Sequence, residues 1–143
     1  MDGAVAAADA RRLLLGAQGL LDDPTPRVTP AAVQRLIARM GFVQVDTINV
    51  VERAHHLTLH SRLDGYRPQQ LRTLLETRRT LFEHWTHDAS VIPTTWFAHW
   101  KPRFARDRMR IQAHAWWRHQ FRGTNGAEVV RAVRARIERD GAL

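Results

Sequence analysis

The chain has 143 residues, of which 44% are hydrophobic, and this suits one compact domain with a buried core. It contains no cysteine, which excludes disulfide bonds and thiolate metal sites. The first nine residues lack the basic leader and long apolar segment of a secretion signal. No apolar run approaches the ~20 residues of a membrane span, so a cytoplasmic protein is expected.

The net positive charge of the chain comes from its second half. Residues 1–64 hold seven Lys or Arg and seven Asp or Glu, whereas residues 65–143 hold fifteen against seven, and the net charge is +8. Lys101 is the single lysine among the 22 basic residues. A sequence pI of about 11.5 favours a polyanionic partner.

The N-terminal part predicts two helices. Residues 7–20 place apolar side chains, including Leu13 and Leu14, at helical spacing, and an Asp- and Pro-rich loop over residues 22–26 follows. A second helix begins with Thr29 as its cap and ends at Gly41. Its predicted inner face consists of Val33, Leu36, Ile37 and Met40.

The middle of the chain mixes patterns. Residues 48–63 are interpreted as mostly helical, although Leu57 to Leu59 fit an extended segment equally well. Asp64 and Gly65 predict a turn, and Pro68 begins another helix.

The C-terminal part predicts a hairpin followed by helices. Residues 81–85 and 89–93 are short apolar segments joined by three polar residues, which predicts a β-hairpin. Residues 95–121 form a basic, aromatic helical region, and residues 127–139 a final amphipathic helix with Val129, Val130, Val133 and Ile137 on one face. Several helices followed by one hairpin indicate a mainly α fold with a small β-hairpin, the winged helix-turn-helix.

Gln44 and Asp46 are polar residues two apart inside an apolar run. On a strand they share a face, while Val43 and Val45 point into the body of the domain. An amide beside a carboxylate can hold one water molecule. The alternative is a half-exposed strand in which Asp46 and Thr47 form a helix cap.

The basic aromatic region offers cations that neutralise phosphates and rings that stack on bases. The arginines expected to contact phosphates are Arg103, Arg106, Arg108 and Arg110. The alternative is a pair of amphipathic helices that bury the rings and leave the arginines solvated. We expect the rings to lie mostly in a core and the arginines to contact phosphates.

The histidines raise the question of a metal site. His55, His56 and His60, and separately His84 and His87, have suitable spacings, but no His-Glu-x-x-His motif is present, so no metal is expected. His84 and His87 lie on the predicted hairpin. There they either reach into a groove or form a turn whose polar groups face water.

Four segments of the chain, taken in order, form a specific pattern. They are Ala-Asp-Ala-Arg11-Arg12-Leu with Gln18-Gly-Leu; Gly41-Phe-Val-Gln44-Val-Asp46-Thr-Ile-Asn49-Val-Val-x-Arg53; Leu59-His-Ser-Arg62-Leu; and Phe82-Glu83-His84-Trp85-x-His87-Asp-Ala-Ser-x-x-Pro93. Together they resemble one family, the winged-helix DNA glycosylases of the YcaQ/AlkZ type, which unhook alkylated bases and interstrand crosslinks.

The resemblance implies a monofunctional DNA repair glycosylase with no metal or cofactor. The family's catalytic motif is Gln, an apolar residue, then Gln or Asp, so the resemblance assigns catalysis to Gln44 and Asp46. Gln44-Val45-Asp46 matches the version of the motif that ends in Asp, which resembles that of the crosslink-unhooking branch of the family. The implied partner is double-stranded DNA with alkylated or crosslinked bases, which suggests association with the nucleoid. Further DNA-binding candidates are Arg53, Arg62, His84 and His87.

Family members resemble one another over several hundred residues and have tandem winged helices that form a concave DNA channel. We therefore expect residues 1–122 to be a DNA-binding and catalytic module. Residues 123–143 are expected to be a helix and linker leading toward a second winged helix that is absent here. Self-association through exposed apolar surface would be a natural consequence.

Two other functions remain open from the sequence. A non-enzymatic winged-helix regulator would bind DNA with the same salt dependence but would not need Gln44 and Asp46 to face a groove. A protein-interaction module would dock a partner through its tryptophans and would bind DNA weakly.

Overall fold

The computed structural model describes residues 5–23, 28–120, 123 and 125–141. The chain forms two compact units, Met1–Ala98 and His99–Leu143. The elements in chain order are α1 (Ala7–Ala17), α2 (Pro30–Met40), β1 (Val43–Gln44), α3 (Ala54–His60), α4 (Pro68–Arg72), a π-helical turn (Thr73–Thr77), β2 (Leu81–Trp85), β3 (Ala89–Pro93), a 3-10 turn (Thr94–Trp96), α5 (Phe97–Ala113), α6 (Ala115–Gln120) and α7 (Gly126–Asp140).

The first unit contains a three-stranded antiparallel sheet in the order β1-β3-β2. The hairpin of β2 and β3 has the bounds that the sequence predicts, and β1 adds the third strand on the other side of β3. A helix, a strand, two further helices and a hairpin make up the element order of a winged helix. The prediction of a mainly α fold with a small hairpin is therefore confirmed.

The bounds of α2 follow from local signals. Thr29 Oγ1 accepts a hydrogen bond from the Ala32 amide at 3.2 Å, and Pro30 takes the first helical position. Gly41, at φ +94°, ends the helix in a conformation that side chains with a Cβ disfavour.

The core lies between α2, α3, α4 and one face of the sheet. Each large side chain buried here contributes about 1.5–3 kcal/mol relative to exposure. Its members are Val33, Leu36, Ile37, Val43, Leu59, Leu63, Tyr66, Leu71, Leu74, Leu81 and Val91. Strand β3 is buried on both faces, because Ser90 and Ile92 are as inaccessible as Val91.

Several element predictions were wrong. Helix α1 ends at Ala17 and not at residue 20, and its Leu13 and Leu14 are exposed. Of the predicted helix over residues 48–63, α3 forms only residues 54–60. Residues 24–26 of the predicted loop lie outside the described residues.

The second unit exposes what was expected to be core. In the basic aromatic region Trp116 and Trp117 are exposed, as are Trp96 and Phe97 just before this unit, so the expectation of buried rings was wrong for these four. Phe121 and Arg122 lie outside the described residues. The apolar residues of α7 are exposed as well. The units divide after Ala98, whereas the functional division after residue 122 stays a prediction.

None of the helices that the structure describes has the length and apolar character that a membrane crossing requires.

Candidate active site

Gln44 and Asp46 lie at the end of β1. The Val45 amide donates to the Ala89 carbonyl oxygen at 2.7 Å, which extends the strand pairing by one residue. Val43 is buried and Val45 packs against the core, as predicted, while Gln44 is exposed. Asp46 is the first residue after the pairing and is half-buried.

The Asp46 carboxylate has one oxygen bound and one available. Oδ1 accepts a hydrogen bond from the Ile48 amide at 2.8 Å, which closes a tight turn of the Asx type. Oδ2 receives no hydrogen bond from any residue within the described ranges. The nearest helix along the chain, α3, begins at Ala54 with Arg53 as its N-cap, so the alternative of Asp46 as a helix cap is wrong.

The sheet register brings Gln44 and His84 to one face. Ser90 of β3 stands opposite Gln44 of β1 and also opposite His84 of β2. Directly opposed residues of antiparallel strands point to the same side, and two strand spacings separate the outer pair by about 10 Å. His87 is exposed in the hairpin turn, where the Thr86 amide donates to the Asp88 carbonyl oxygen at 2.9 Å.

Behind Asp46 lies a pair of histidines that sequence reasoning considered only as metal ligands. The Asp46 amide donates to Nδ1 of His55 at 3.4 Å, and the rings of His55 and His56 have centroids 4.1 Å apart. His56 Nδ1 is 2.9 Å from the Tyr66 hydroxyl. The described residues contain no group of three or more side chains placed to hold a metal ion.

Burial sets the protonation of this group. Burial, with His56 and Arg53, lowers the pKa of His55 to about 4, although the Glu52 and Asp46 carboxylates oppose the shift. Burial also lowers the pKa of His56 and raises that of the Tyr66 hydroxyl. Both imidazoles are therefore neutral at pH 7, and Tyr66 keeps its proton. The signal that could have predicted the burial of His55 is its i, i+4 spacing from Leu59, which places both residues on one face of α3.

Arg53 is available for a ligand, while Arg62 is engaged in the fold. Arg53 is exposed, its guanidinium has no partner among the residues the structure describes, and it lines a cavity of about 200 Å³ with His55 and His56. Arg62 donates from Nε to the Gln18 carbonyl oxygen at 2.7 Å and from Nη1 to that of Thr58 at 2.8 Å. It thus ties the end of α1 to α3.

We expect Arg62→Met to lower the free energy of unfolding by about 1–2 kcal/mol, because the hydrogen bonds to the Gln18 and Thr58 carbonyl oxygens and to the Ser61 hydroxyl are lost while the aliphatic stem is kept. Urea unfolding measures the change. Arg35→Met, at an exposed arginine of α2, is the matched control and should stay within about 0.5 kcal/mol. Equal stability of the two variants would contradict this structural role for Arg62.

The four predicted phosphate contacts lie on α5. Arg103, Arg106 and Arg110 have nitrogen atoms 3.6–3.9 Å from the carboxylate of Asp107. Arg108 is exposed and forms no ion pair with the residues described. One carboxylate leaves a local excess of positive charge. Arg106 and Arg110 are exposed, and their ion pairs are weak enough to exchange for phosphates, whereas Arg103 and Asp107 are partly buried.

The fold and the site define a winged-helix protein with an amide and a carboxylate at the end of its first strand and a basic helix in its second unit. The model of one protein family, described as DNA glycosylase AlkZ-like, matches residues 37–143. The chain therefore belongs to the AlkZ-like DNA glycosylase family, and the resemblance stated from the sequence is confirmed. Membership implies a hydrolase of DNA repair with DNA as its partner. No solved structure matches the chain.

Proposed function

We propose that the chain hydrolyses the N-glycosidic bond of N7-alkylated purines in DNA, including those in interstrand crosslinks, as a monofunctional glycosylase. The observation that supports this most directly is the available Oδ2 of Asp46, one residue beyond the strand that presents an exposed Gln44. A carboxylate with both oxygens bound inside the fold would have no oxygen available to accept a proton from water.

The residue types suit the chemistry. Alkylation at N7 makes the purine cationic, so the C1′–N9 bond breaks with its electron pair going to N9 and no strong general acid is needed. The oxygen of a water molecule forms the new bond to C1′, and its proton passes to the Asp46 carboxylate. The negative charge of Asp46 also stabilises the oxocarbenium-like sugar. The Gln44 amide has both a donor and an acceptor, which can orient that water.

The distribution of amines favours water as the nucleophile. A glycosylase that forms a covalent imine needs an amine such as a lysine. The chain has a single lysine, Lys101, and its only other amine is the α-amino group. This scarcity of amines favours hydrolysis without an imine intermediate.

Open geometry favours a bulky lesion. Many glycosylases flip a base into a closed pocket, but a crosslinked base cannot leave its partner strand. Gln44 is exposed and Asp46 half-buried, as an open groove requires. We assign phosphate and groove contacts to Arg53, His84 and His87 in the first unit. In the second unit we assign them to Arg103, Arg106, Arg108 and Arg110, and we regard Arg62 as the weakest of the candidates.

The test is incubation of the chain with a duplex carrying one N7-methylguanine and with a nitrogen-mustard crosslink, followed by alkali. We expect strand breaks at the modified guanines and none in an unmodified duplex. DNA affinity should fall with salt by a slope of about −0.9 per phosphate contact. Salt-dependent binding by folded protein without excision would instead favour the regulator, and weak binding with little salt dependence would favour the protein-interaction module.

A further inference from the structure

We propose that His55 is a positioning residue of the active site, because Nδ1 of its imidazole accepts a hydrogen bond from the Asp46 amide and thereby fixes the turn that presents the carboxylate. This inference rests on the proposed function, which assigns catalysis to Asp46.

The contact between His55 and Asp46 joins two elements. The Asp46 nitrogen is 3.4 Å from Nδ1 of His55, a long hydrogen bond that links the end of β1 to the first turn of α3. His55 is 5% exposed and shares the buried face of α3 with Leu59. Its ring is therefore held by packing and can act as a fixed acceptor.

The turn has little else to hold it. Apart from the contact with His55, residues 46–53 have two side-chain contacts to their backbone, and both are local: from the Ile48 amide to Asp46 Oδ1 and from the Arg53 amide to Glu52 Oε1. The side chains of Ile48, Val50 and Val51 are 69%, 90% and 88% exposed, so packing does little for the segment. A contact from the Asp46 amide to a buried ring therefore has a large share in fixing this residue.

His56 and Tyr66 extend the buried group around His55. The ring centroids of His55 and His56 are 4.1 Å apart, and Nδ1 of His56 is 2.9 Å from the hydroxyl of the buried Tyr66. The charges around His55 are the carboxylates of Asp46 and Glu52 and the guanidinium of Arg53. The lowered pKa of His55 keeps its imidazole neutral at pH 7, so one of the two ring nitrogens carries no proton. The contact of Nδ1 with the Asp46 amide requires that this nitrogen is Nδ1 and that the proton stands on Nε2.

The test compares two substitutions. His55→Phe keeps a planar ring but has no acceptor, whereas the Oδ1 of His55→Asn stands near the position of Nδ1 and can accept the amide. We expect His55→Phe to lower the single-turnover rate on N7-methylguanine DNA about tenfold with an unchanged dissociation constant for DNA. His55→Asn should recover most of the rate. Melting temperatures separate these effects from a loss of folding.

A second measurement does not need activity. In ¹⁵N NMR spectra of the wild-type histidines at pH 7, His55 should carry its proton on Nε2. A proton on Nδ1, or a wild-type rate in His55→Phe, would overturn the inference alone. An inactive wild-type chain would overturn the proposed function and with it the catalytic role of His55.

Discussion

Replacing Asp46 by asparagine should lower the single-turnover rate of N7-methylguanine excision by about 10²- to 10³-fold. The substitution removes the base that accepts the proton of water and the charge that faces the oxocarbenium-like sugar. It leaves an acceptor oxygen for the Ile48 amide, so the turn after β1 is kept. DNA affinity and melting temperature should therefore remain near those of the wild type.

The measurement is a quenched time course with enzyme in excess over a duplex carrying one N7-methylguanine. Asp64→Asn is the matched control, since Asp64 is an exposed aspartate of the first unit that lies in the turn after α3. It should leave the rate unchanged. Equal rates for Asp46→Asn and the wild type would remove Asp46 from the mechanism.

The parts of the fold that the sequence predicts well are those with coincident local signals. In α2 the cap at Thr29, the proline after it and Gly41 mark both ends, and the structure confirms each. The hairpin is confirmed residue by residue, because two apolar segments flank a short polar turn. Such signals are independent of packing elsewhere in the chain.

Residues 46–53 show where local pattern fails. Val50 and Val51 fit a helical spacing with Ala54, but β-branched residues are weak helix formers. The side chains of Asp46 and Glu52 bind nearby backbone amides, which competes with helical hydrogen bonding. The helix consequently begins at Ala54. Periodicity alone does not reveal this competition.

Burial of the aromatic residues could not be predicted from spacing either. The same spacing of Trp116 and Trp117 suits an interior helix or an exposed one. In the structure the centroids of the two rings are 4.5 Å apart, and both side chains are exposed. Which of the two occurs depends on partner surfaces that a single sequence does not specify.

The candidate site was predicted in part. The motif predicts a catalytic role for Gln44 and Asp46, which stays a prediction, while their placement at the end of β1 agrees with the predicted alternation of Val43 and Val45. His55 was missed because it contacts the backbone amide of Asp46. Every residue except proline has such an amide, so the residue type at position 46 does not predict this contact. The sequence likewise does not show that Arg62 is bound within the fold while Arg53 is available. That difference depends on the positions of the Gln18 and Thr58 carbonyl oxygens.

Acidification should destabilise the first unit before its carboxylates become protonated. Unfolded His55 binds a proton near pH 6.5, whereas folded His55, at a pKa of about 4, does not. Between these values the unfolded state holds more protons, so stability falls as the pH falls. We expect a loss of about 1 kcal/mol from His55 between pH 7.5 and 5.5, growing to about 3 kcal/mol near pH 4. The lowered pKa of His56 acts in the same direction.

Urea unfolding followed by the ring resonances of Tyr66, the single tyrosine of the chain, reports on this unit specifically. His55→Phe should flatten the dependence of the unfolding free energy on pH over the range 7.5–5.5. His60→Gln, at an exposed histidine of the same helix, should leave it as in the wild type. The slope that remains in His55→Phe is expected to come from His56. A slope as steep as that of the wild type would show that His55 keeps its proton in the folded state, and the acceptor that holds the Asp46 turn would then be lost under the same mildly acidic conditions.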